Sequence, residues 1–162
     1  MSREYVLSSG GITVANQPVT LAFINPGTDR SIEILRAWVS QSANATSAQQ
    51  RVQLATQVTA FPTLTLATPR LLKGRDPVSA IVGDTDGAAG TCGINASAEG
   101  AGAKTAVIDD AFNVLNGWLW LPGPAETIIL PAGFASGLSL FLPVAPATLT
   151  DWAFGMVFRE LG

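Results

Sequence analysis

"GLSLFLPVAPATLTDWAFGMVFRE", residues 137–160, is the stretch on which the fold turns. Leu138, Leu140 and Leu142 occupy alternate positions with Ser139 and Phe141 between them, and Trp152, Phe154, Met156 and Phe158 alternate with Ala153, Gly155, Val157 and Arg159. A repeat of two places each set on one face of an extended chain, whereas an amphipathic helix would repeat about every 3.6 residues. Pro143 and Pro146 interrupt the connection between the runs, so the stretch predicts two strands, the second with a bulky face opposed to a small one.

The same period recurs on both sides. In "RVQLATQVTA", residues 51–60, Val52, Leu54, Thr56, Val58 and Ala60 oppose Arg51, Gln53, Ala55, Gln57 and Thr59. "SIEILRAWVSQ", residues 31–41, alternates at Ile32 and Ile34 and slips phase at Leu35, which predicts a β-bulge. Further strands are predicted over 12–15, 18–24, 104–108, 117–121 and 126–130, punctuated by Gly and Pro turns such as "NPGTD" at 25–29 and "PGP" at 122–124. Short strands with such spacing predict an all-β sandwich or barrel, one domain over residues 1–162. The only helical signal is "DPVSAIVG", residues 76–83, where Asp76 as N-cap and Pro77 at the first helical position predict a turn or two. Residues 69–103 hold seven glycines and little periodicity, and are expected to form an extended loop excursion from the sandwich.

Residues 127–147 carry no charge, which raises the question of a membrane span. Pro131, Pro143, Pro146, Gly133 and Gly137 break the run too often for a spanning helix, so no membrane partner is expected. The N-terminal "MSREYVLSSGG" holds no apolar core of a secretory signal.

Charged residues make up 13% of the 162 positions, about half the roughly 25% of an ordinary soluble domain, while apolar residues make up 48%. So little charge implies that part of the surface is covered by copies of the chain or by another protein; a monomer coated in Ser, Thr, Asn and Gln is the alternative. Residues 1–75 carry seven cations against three acids, giving +4, and the remainder two against nine, giving −7. These opposed halves can complement one another, but they form no clustered basic face, so direct nucleic-acid binding is not expected.

The chain has no histidine and one cysteine, Cys92, which removes Ser-His-Asp and Cys-His catalysis, His-ligated zinc and an intramolecular disulfide. "AEGAGAKT", residues 98–105, has alanine at positions 98 and 103 where a phosphate-binding loop needs glycine. "DTDG", residues 84–87, lacks the remaining ligands of a calcium loop. No catalytic residue, cofactor or metal is therefore expected, and Cys92 reads as a small buried thiol.

Trp118 and Trp120 share one face of a strand whose other face carries Leu119 and Leu121. A strand apolar on both faces must be covered twice, once by the facing sheet and once by something else. A neighbouring subunit is the expected cover, with Trp118, Trp120, Leu138, Leu140 and Leu142 as its contacts; a buried monomer core and a sugar-stacking tryptophan platform are the alternatives. "PRLLKGRD", residues 69–76, concentrates Arg70, Lys73 and Arg75, a solvated turn or a contact for an acidic partner.

"ETIILPAGFASGLSLFLPVAPATLTDWAFGMVFREL", residues 126–161, orders its elements as trimeric jelly rolls do: a strand ending in "LPAG", a strand "GLSLFL", a Pro-rich connection and a closing strand ending "VFREL". Over residues 104–162 the chain resembles the small decoration, or cement, proteins of tailed-bacteriophage heads. The resemblance implies a jelly-roll-like antiparallel sandwich, a homotrimer bound to the major capsid protein, made in the host cytoplasm and placed on the outer surface of the virion. It carries over no functional residue; Arg70, Lys73 and Arg75, in the basic turn at 69–76, are the expected capsid contacts.

Overall fold

Alternation turns into twelve strands in the computed structural model, which describes residues 3–28, 30–43, 46–74, 77–81, 91–133 and 136–162. They are β1 (Arg3–Ile12), β2 (Val19–Asn25), β3 (Ser31–Gln41), β4 (Gln49–Val58), β5 (Thr63–Leu66) and β6 (Arg70–Leu71), followed by β7 (Thr91–Ala98), β8 (Lys104–Asn113), β9 (Trp118–Trp120), β10 (Ile128–Leu130), β11 (Ser136–Leu142) and β12 (Trp152–Leu161). No helix occurs among the described residues, so the helical turn predicted from Pro77 is replaced by an irregular strap over 77–81; Asp76 lies outside the described residues.

Two antiparallel sheets pack face to face. The front sheet runs β10-β3-β12-β1-β6, with β9 also paired to β3, and the back sheet runs β5-β7-β2-β11-β4-β8. Setting β5, β6 and β7 aside, each strand of the first half pairs with its mirror in the second: β1 with β12, β2 with β11, β3 with β9 and β10, β4 with β8. This is one long hairpin doubled and rolled, the connectivity of a jelly roll.

The inward rows explain why the roll closes. Trp152, Phe154, Met156 and Phe158 of β12 and Ile32 and Ile34 of β3 meet Leu138, Leu140 and Leu142 of β11 and Val52 and Leu54 of β4, all essentially without exposed area. Burying a side chain of this size contributes roughly 1.5–3 kcal/mol relative to leaving it in water, which is why the two-residue period dictates the layers. The bulge expected at Leu35 is present: Val157 opposes Arg36 and Phe158 opposes Ile34, leaving Leu35 unpaired. A second bulge lies on the edge strand β8, where Ile108 opposes Leu54 and Ala106 opposes Ala55, so Val107 is skipped.

The first strand corrects the prediction over 12–15. Tyr5 and Leu7 point inward and Glu4, Val6 and Ser8 outward, so β1 ends where a strand was expected to begin. Polar and glycine residues through "SSGG" hide that alternation from an apolar-run reading.

Two segments of the expected excursion at 69–103 pair with the sheets, and residues 75, 76 and 82–90 of it lie outside the described residues. Within it β6 adds to β1 of the front sheet and β7 adds to β2 of the back sheet, with β5 outside β7, so this insertion between β4 and β8 runs along one edge of both sheets. Its fastenings are polar. Glu99 accepts from the Thr20 N–H and hydroxyl, both at 2.6 Å, and from Lys104 Nζ at 2.8 Å. Buried Glu160 accepts from Ser79 Oγ at 2.6 Å and the Ala80 N–H at 2.9 Å, and Tyr5 donates to the Pro77 carbonyl at 2.9 Å, holding the 77–81 strap against the front sheet. The insertion also lays Phe61 on the outer side of the back sheet, 5.1 Å from the Phe23 ring centroid. Gly137 makes room for Phe23, since a Cβ there would stand 2.2 Å from its ring.

Candidate interaction surface

The five residues expected at a subunit contact all turn toward the inside of the single chain. Trp118 opposes Val39, is 8% exposed, and donates from Nε1 to Asp110 Oδ2 at 3.0 Å, tying the front sheet to the edge strand of the back sheet. Trp120 opposes buried Ala37 and packs, half-buried, against the core. Leu138, Leu140 and Leu142 have no exposed area. A side chain already enclosed by its own chain has no surface left for a neighbour, so these three leucines and Trp118 are core, and the expected contact is corrected accordingly.

The other face of the same strand is the open one. Leu119 is 60% exposed and Leu121 69%, and Ile129 of β10 beside them is 56% exposed. Leu119 opposes Trp38 and Ile129 opposes Glu33, so both lie on the outer face of the front sheet, and Leu121 follows just past the end of β9. Trp38 lies flat across β12 because Gly155 carries no side chain: a Cβ there would stand 2.3 Å from the indole. The Arg36 guanidinium covers the ring at 5.2 Å from its centroid. The sequence shows both apolar faces of this strand, but the expected contact was placed on the tryptophan side, whereas the leucine side is the open one.

A charged row borders the apolar band. Lys73 Nζ meets Glu4 Oε2 at 3.2 Å, and Arg159 spans Glu4 at 3.0 Å and Glu33 at 3.3 Å, where Thr127 donates to Glu33 at 2.7 Å. The Arg159 hydrogen bond, helped by Lys73 and opposed by burial, holds the Glu4 carboxyl below its ordinary value of 4.5.

Of the three expected capsid contacts, Arg70 is exposed opposite Val6, Lys73 is exposed yet engaged with Glu4, and Arg75 lies outside the described residues. The "DTDG" motif also lies outside them. Among the described residues no group of His, Cys, Asp and Glu side chains stands together to hold a metal. Cys92 is buried, its thiol donating to the Ala67 carbonyl at 2.8 Å, and burial pushes its pKa up to about 12. A pocket of about 170 Å³ at one end of the sandwich is lined by Gln41, Gln50, Val114, Pro146 and Trp152. Three of its lining side chains donate to the chain's own carbonyls: Gln50 to Val144, Gln41 to Thr150 and Trp152 to Thr148.

What fold and surface define together is a jelly-roll β-sandwich whose front sheet shows exposed apolar side chains beside a charged row on its outer face. Comparison with known proteins takes this no further: no family model matches the sequence, no curated protein matches it, and no solved structure matches it.

Proposed function

We propose that this chain is a non-enzymatic structural protein of a virion, a homotrimer that sits on the outside of a tailed-phage capsid and bridges adjacent capsomers of the major capsid protein. The observation that carries the reading is the face bearing Leu119, Leu121 and Ile129, more apolar surface than one copy encloses. The jelly roll supports it as a rigid building block, and the resemblance over residues 104–162 supplies the kind of assembly. Bridging a shell needs no chemistry: many modest contacts to repeated sites sum to firm attachment. Arg70 and Lys73, on the exposed side of the insertion, are the proposed contacts to the shell.

A sugar-stacking role draws no support from the tryptophans. Trp118 and Trp152 are buried, Trp120 is packed on the core, and Trp38 is held between Gly155 and Arg36. None offers the bare ring face that a pyranose needs.

The test is quantitative mass spectrometry of purified phage particles carrying this chain, after biotin labelling of intact heads. The chain is expected in fixed proportion to the major capsid protein and labelled from outside. Its absence from heads, or its presence only in detached tails, would overturn the proposal.

A further inference from the structure

We infer that the mouth of the roll is a binding site for one neutral ring that carries a hydroxyl, phenol being the simplest such ligand. The inference is independent of the capsid role and concerns the pocket of about 170 Å³ at the end of the sandwich.

Glutamine in the place of an apolar side chain shapes this pocket. On β3 the inward row of Ala37 and Val39 continues to Gln41, and on β4 the inward row of Leu54 and Val52 continues to Gln50, so each sheet ends its apolar row in a carboxamide. Gln41 opposes Trp152 of β12, and the Pro-rich connection from β11 to β12 lines the space between the two sheet ends. Val114, Ala145 and Pro146 supply apolar wall. An apolar cavity of about 150 Å³ takes up benzene, so the space here admits one six-membered ring.

The Gln50 carboxamide decides which ring. A glutamine side chain has two N–H donors and one acceptor oxygen. Both donors are taken, by the Val144 carbonyl at 2.8 Å and the Arg51 carbonyl at 3.3 Å, which fixes the orientation: a flipped amide would set its oxygen against two carbonyl oxygens. Gln50 is 6% exposed, and its Oε1 has no hydrogen-bond partner among the described residues. That oxygen is not sealed within the protein as Gln57 Oε1 and Ser139 Oγ are, so its open side is the pocket. An acceptor this enclosed draws a donor from whatever enters. Gln41 and Trp152 meanwhile give N–H groups to the Thr150 and Thr148 carbonyls. The one charged residue on the wall, Arg51, is held by Asp109 at 2.6 Å, so a charged ligand finds no unmatched ion. Burial of the ring supplies affinity, and the hydroxyl, donating to Gln50 Oε1, supplies discrimination.

The experiment is titration of the full chain with phenol, benzene and benzoate, followed by nuclear magnetic resonance of backbone and side-chain N–H groups. Phenol should move the Gln50 side-chain, Trp152 indole and Val114 amide signals to saturation; benzene should do so more weakly, and benzoate not at all. Gln50→Met keeps the length of the side chain and removes its carboxamide. It should weaken phenol roughly two- to tenfold, the loss expected of one hydrogen bond, and leave benzene unchanged. Shifts that do not saturate or that centre on other residues overturn the inference, as do equal affinities for phenol and benzene, tighter binding of benzoate, or a phenol affinity that Gln50→Met leaves intact. If that variant does not fold, the wild-type comparison of phenol with benzene decides alone. N-acetyltyrosinamide separates the two sources of such a ring: its uptake assigns the site to a tyrosine side chain of another protein, its exclusion to a free phenol.

Discussion

On the back sheet Phe23, Gln57 and Ser139 have no exposed area although all of them point away from the core; on the front sheet Leu119 and Ile129 point away from the core and stay in water, as does Leu121 just past β9. The strands are of the same kind, so the difference comes from the chain between β4 and β8. Phe61 and the turn held by Glu99 cover the middle of one outer face, while among the described residues the same insertion meets the other sheet along the β1 edge and at inward-facing Glu160 of β12. Strand alternation thus creates two faces, and the long connection decides which of them is finished within one copy.

Deleting core is the largest perturbation. Leu140→Ala should cost about 2–5 kcal/mol in urea denaturation, because a fully enclosed leucine leaves a cavity when shortened. A cost below about 1 kcal/mol would show that the leucine row is not enclosed as described. Uncovering the finished face comes next: Phe61→Ala, removing a half-buried ring from Phe23, should cost about 1–2 kcal/mol while leaving the state of association unchanged.

Acid probes the charged row on the open face. Because the folded Glu4 carboxyl lies below its ordinary value of 4.5, the folded chain holds this proton less readily than the unfolded one. Its contribution is therefore complete above about pH 4.5 and is lost as pH falls through the lower folded value. The urea midpoint should drop between pH 5 and pH 3, and Glu4→Gln should flatten that drop; an identical drop in the variant refutes the assignment. The smallest effect belongs to the open face itself. Leu119→Ser should change the unfolding free energy of a single copy by less than about 0.5 kcal/mol, measured at dilutions where association is absent. A larger cost would place Leu119 among the structural residues and erase the contrast between the faces.

Much of this architecture could be read from residues alone. The rows of β4, β11 and β12, the phase slip at Leu35 and the all-β class follow from a period of two, because burial acts directly on that period. What escaped were features set by remote segments. β1 is concealed by serines and glycines, and β7 looks like a loop because its neighbour β2 supplies the pairing that its sequence does not announce. The tryptophan strand reads as apolar on both sides, but which side meets the facing sheet depends on the register against Val39 and Ala37. That register comes from the whole roll rather than from the strand.

The edge strand β8 bears on how such molecules gather. Ten residues of free sheet border would offer any extended peptide a place to zip on and grow into fibrils. The kink at Val107 and the neighbouring acids Asp109 and Asp110, one clasped by Trp118, spoil that template. The free border is thereby blunted against edge-to-edge growth without limit.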